Sequence, residues 1–64
     1  QEEATTAREI WARVNELPDK QREAIMLVYA EDMNHAEAAA IMGCKEATVS
    51  WHIHEAKKTL RGLL

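Results

Sequence analysis

The chain reads as an all-α protein, a compact four-helix domain, and three observations predict it. Its 64 residues hold two Gly and one Pro, so there is little punctuation and most of the chain falls in a few long elements. Val49, Ile53, Ala56, Leu60 and Leu63 recur at spacings of four and three, the period of one helix face. With 47% hydrophobic and 30% charged residues the composition is globular, while the single Cys44 excludes an internal disulfide framework. A core this small must come from packed helices and is marginal in stability. The length suits one domain over 1–64, and a chain that starts at Gln1 suggests a piece of something longer.

The first helix is expected from about Thr5 to Glu16. Ile10, Val14 and Leu17 form its apolar stripe, and Thr5 or Thr6 can cap its start. Trp11 neighbours that stripe and reads as core. Pro18 closes the segment, because the residue before a proline avoids the α region. A second helix follows from Pro18 or Asp19 to about Glu31, with Ala24, Ile25, Leu27 and Val28 on its buried side. Asp32 occupies the left-handed position wanted at its end. Asn34-His35-Ala36-Glu37 is a capping box for a short third helix through Ala38, Ala39, Ala40, Ile41 and Met42, stopped by Gly43. Its three small residues allow another helix to approach closely. The fourth helix runs from just after Lys45 toward the C-terminus. Opposite its apolar stripe lie Ala47, Ser50, Trp51, His54, Glu55 and Lys58, with Thr48 and Arg61 near the edges.

A capped short helix, a glycine-containing turn and a longer helix with a polar outer face make a helix-turn-helix, here about 34–61. The formal charge of −3 argues mildly against nucleic acid, but it is unevenly spread. Residues 1–43 carry four Lys or Arg against nine carboxylates, and residues 44–64 carry four against two, so the ends net −5 and +2. The C-terminal third is the electropositive end.

The segments Leu17-Pro18-Asp19-Lys20-Gln21-Arg22-Glu23-Ala24, His35-Ala36-Glu37-Ala38-Ala39 and Gly43 through Lys58 strongly resemble region 4 of bacterial RNA polymerase sigma factors, of the extracytoplasmic-function group. The resemblance covers roughly residues 17–64. It implies recognition of double-stranded promoter DNA at the minus-35 element by the last helix, with the domain docked on the flap of core RNA polymerase. It implies a cytoplasmic protein, and an anti-sigma factor is a further candidate partner. The residues expected at DNA are Lys45, Thr48, Ser50, Trp51, His54, Glu55 and Lys58. Ser50 and Thr48 can bond base edges or phosphate, Glu55 can accept from cytosine N4, and Trp51 and His54 offer flat surface to a thymine methyl or sugar. Lys58 would neutralise phosphate, with Arg22, His35, His52 and Arg61 as further candidates. Relatives often carry basic residues where this chain has Ser50, His52 and Glu55, which implies fewer phosphate contacts and no bidentate arginine on guanine. Lys45 stands where a capping Ser is often found.

The blander readings are packing for Trp51 and His52, an Arg22–Glu37 ion pair between helices, and a small apolar filler for Cys44. Glu2 and Glu3 read as solvated terminus. His52 and His54 diverge around a helix, so no metal site is expected. No phosphate loop, nucleophile triad or carboxylate pair is present, so neither an enzyme nor a cofactor is expected. No apolar run approaches the ~18 residues that cross a bilayer. Rival functions are a sigma-like module that binds an anti-sigma factor without reading promoters, and the output domain of a response regulator.

Overall fold

The computed structural model describes residues 6–61, and among them it contains helices and turns only. Helix α1 spans Ala7–Val14, α2 Asp19–Ile25, α3 His35–Met42 and α4 Glu46–Thr59. A π-helical segment, Met26–Ala30, extends α2. Helices α2, α3 and α4 pack on one another, and α1 joins the core through Val14, with Ile10 and Trp11 beside it; the extents are 43 × 19 × 15 Å.

Thr6 caps α1 in a reciprocal box: its hydroxyl accepts from the Glu9 amide at 3.1 Å, and its own amide donates to the Glu9 carboxylate at 3.2 Å. The expected cap at Thr5 lies outside the described residues, as do Glu2, Glu3 and Leu63. The helix ends at Val14, two residues before the expected Glu16. There the amides of Glu16 and Leu17 donate to Arg13 and Val14 in tight three-residue turns, which swing Leu17 into the core ahead of Pro18.

The second helix covers its expected span but is not α throughout. The Glu31 amide reaches back five residues to the Met26 carbonyl, and the Met33 amide reaches six to Leu27. Asp32 closes this widened end with a φ of 61°. The Asn34–Glu37 box forms as expected, at 2.8 and 2.9 Å. Gly43 stops α3 in the left-handed conformation, φ 72°, while its amide and that of Cys44 both donate to the Ala39 carbonyl. Helix α4 stops at Thr59 instead of continuing through the C-terminus; Gly62, a poor helix former, follows in sequence.

Val14, Leu17, Ala24, Ile25, Ala38, Ala39, Val49, Ile53, Ala56 and Leu60 form the buried core. Fully buried Ala24, Ala38 and Ala56, one on each of three helices, let the backbones approach closely. Ile10, Trp11, Leu27, Val28, Met42 and Cys44 pack around this core. The Arg22–Glu37 pair does not form. Arg22 instead donates to Asp19 at 2.8 Å, one turn away on its own helix, while a Glu37 oxygen is held by the Asn34 amide. A local pair orders less chain than one between helices, and at this exposure it adds little stability.

Candidate nucleic acid interface

Burial of Val49, Ile53, Ala56 and Leu60 fixes the rotation of α4. It leaves Ala47, Ser50, Trp51, His54 and Lys58 exposed on the far side, with Thr48 and Glu55 half-buried at its margins. Trp51 is 56% exposed, unusual for so large an apolar group, and its ring tilts against that of His52 with centroids 5.1 Å apart. Lys45 is exposed at the N-terminal end of the face, and no side chain caps the helix there. Replacing Lys45 with serine therefore supplies a missing cap. The expected result in urea unfolding is a gain of about 0.5–1 kcal/mol, accompanied by weaker duplex binding as one cation is lost.

The other expected residues divide by what already occupies them. Glu55 and Lys58 pair with each other at 3.3 Å, so the carboxylate partly neutralises the cation expected to meet phosphate. His35 lies at the start of α3 and its Nδ1 sits 2.7 Å from the Ser50 Oγ, joining the two helices of the motif on the exposed side. His52 is half-buried, and its Nδ1 is buried without a partner, so an external group can meet only its other ring nitrogen. Arg22 lies on α2, where it pairs with Asp19 and lines a concavity to which no α4 residue contributes. Arg61 lines a cleft with Arg13, Glu16, Thr59 and Leu60, at the opposite end of α4 from Lys45. Lys57 stands over the Tyr29 ring at 5.7 Å and ties α4 to the π-helical segment.

Two features escaped the sequence reading. The His35–Ser50 contact joins residues 15 apart, a separation at which no helical period gives a signal. Glu46 places a carboxylate in the first turn of α4, beside Lys45; its signal was there in the sequence, an acid where the helix dipole favours one. Among the described residues no group of three or more His, Cys, Asp or Glu is placed to hold a metal ion, and no helix is long and apolar enough to cross a membrane.

The family model described as sigma-70, region 4 matches residues 7–60. The chain is 39% identical over 56 residues to the ECF RNA polymerase sigma factor EcfG of Rhodopseudomonas palustris (strain TIE-1), a match covering 88% of this chain and 31% of the relative. It is 38% identical over 50 residues to the ECF RNA polymerase sigma factor SigM of Bacillus subtilis (strain 168), covering 78% of this chain and 31% of that one. The chain thus spans about a third of the length of these curated relatives. No solved structure matches it significantly.

Proposed function

Because the chain belongs to region 4 of the sigma-70 family, on the extracytoplasmic-function branch, we propose that it reads the minus-35 promoter element for RNA polymerase during transcription initiation. The observation that carries this reading is the face of α4: Ser50, Trp51, His54 and Lys58 exposed along a helix whose other side is locked into the core. An α-helix fits the major groove, and its N-terminal half meets the base edges. Lys45, Thr48, Ser50 and Trp51 occupy that half, while Lys58 lies further along, where phosphates are met. The work is binding, without catalysis, in the cytoplasm.

The acidic total does not defeat this role if polymerase delivers the domain. Tethering raises the effective concentration at the promoter, so modest intrinsic affinity is enough. A concavity on α2 supports such docking. Met26 and Leu27 line it together with Glu23 and Glu31, and no α4 residue contributes, so polymerase and DNA need not compete.

The test is a salt titration of binding to a minus-35 duplex. Lys58→Ala is expected to weaken all duplexes about equally and to lower the slope of log K against log salt by about one. A second reading, capture by an anti-sigma factor without promoter reading, is favoured by the Glu55 carboxylate that occupies Lys58. It predicts tight anti-sigma binding with no duplex binding at any salt.

A further inference from the structure

We propose that His35 is a positioning residue for sequence readout, acting through Ser50: the imidazole fixes the orientation of the Ser50 hydroxyl, so one base preference is set by two helices. The inference rests on the promoter-reading function above and goes beyond it, since His35 would otherwise be read only as a phosphate contact.

A serine hydroxyl on an exposed helix face is a weak reader on its own. It both donates and accepts, it rotates freely, and it can fold back to the carbonyl one turn earlier. Ser50 is not in that situation, because its Oγ lies 2.7 Å from the Nδ1 of His35. The histidine is itself anchored. It is the first residue of α3, directly after the cap residue Asn34 and within the Asn34–Glu37 capping box, and α3 packs on α4 beside buried Ala38 and Ala39. The ring therefore holds the hydroxyl against a rigid frame.

The polarity of that bond decides what Ser50 offers outward. If Nδ1–H donates to Oγ, the hydroxyl hydrogen is free to point away. Ser50 then suits an acceptor such as guanine O6 or N7, or thymine O4. If Nδ1 accepts the hydroxyl hydrogen, only oxygen lone pairs face the groove, and Ser50 suits the amino group of adenine or cytosine. An unprotonated Nδ1 thus confines Ser50 to amino edges, while a protonated one opens the acceptor edges to it as well.

Two measurements on this chain test the proposal. Ring nitrogen NMR shifts of His35 are expected to change in Ser50→Ala, and the wild-type shifts report whether Nδ1 carries the proton. Binding to a duplex pool randomised over the minus-35 site is expected to show relaxed preference at one base pair in Ser50→Ala, by about tenfold. His35→Ala should relax the same base pair, the double variant should add nothing, and His35→Gln, which keeps a donor and an acceptor, should restore part of the preference. Unperturbed ring shifts, additive single effects, or a preferred acceptor edge beneath Ser50 with an unprotonated Nδ1 would each overturn the proposal. A uniform loss with a smaller salt slope would make His35 a phosphate contact instead. A wild-type chain indifferent to duplex sequence overturns the promoter-reading function itself, an outcome the ring shifts distinguish from failure of the His35–Ser50 contact.

Discussion

Ile25→Ala is expected to unfold a large fraction of the protein at 25 °C. Ile25 is 1% exposed and stands on α2, in the same buried cluster as Val49 and Ile53 of α4. Truncation removes three buried carbons and leaves a cavity that the surrounding helices only partly close, at a cost of about 3 kcal/mol. A core of this size rarely supplies more than ~3–5 kcal/mol in total. Far-UV circular dichroism should show reduced helix content in buffer, and the urea transition should shift to near zero denaturant. A variant that unfolds at the wild-type midpoint would show that the α2–α4 contact does not hold the domain together. Loss of DNA binding in this variant would follow from unfolding and says nothing about the interface.

The largest effect on binding without an effect on folding is expected at Trp51. Its indole is 56% exposed and lies outside the buried core and the residues packed on it. Trp51→Ala should therefore change the unfolding free energy by no more than about 0.5 kcal/mol. Affinity for the minus-35 duplex should fall about tenfold, within the range for loss of one base contact. Fluorescence anisotropy of labelled duplexes, specific and scrambled, checks both magnitude and selectivity. An equal loss of stability and affinity would mean that the ring is a packing group.

The elements legible in the sequence were those with local causes. Asn34 and Glu37 satisfy each other's helix end within four residues, and Gly43 is needed where φ is positive, so the start and stop of α3 were readable from neighbours alone. Val49, Ile53, Ala56 and Leu60 of the α4 stripe were readable because they recur at helical spacing, and their burial follows from that spacing. Asp32 was legible as a left-handed stop, but the π-helical turn ahead of it was not. Met26 through Ala30 contain no Gly or Pro to mark a departure from the α-helix, so the wider turn leaves no signal in the sequence. The two polar contacts that the sequence did not disclose share a cause. Arg22 has acidic neighbours both one turn away and across the helices, and only coordinates decide that Asp19 takes it. Ser50 looked free because its partner, His35, comes from another helix.

The proposed function places the exposed side of α4 against DNA. Hydroxyl-radical footprinting of the protein with saturating minus-35 duplex at low salt tests it most directly, because Trp51 and Met26 are both reactive side chains and both exposed, at 56% and 42%. Trp51 should become protected while Met26, on the π-helical segment, keeps its free-protein rate. Protection of Met26 with Trp51 still oxidised at full rate would contradict the account.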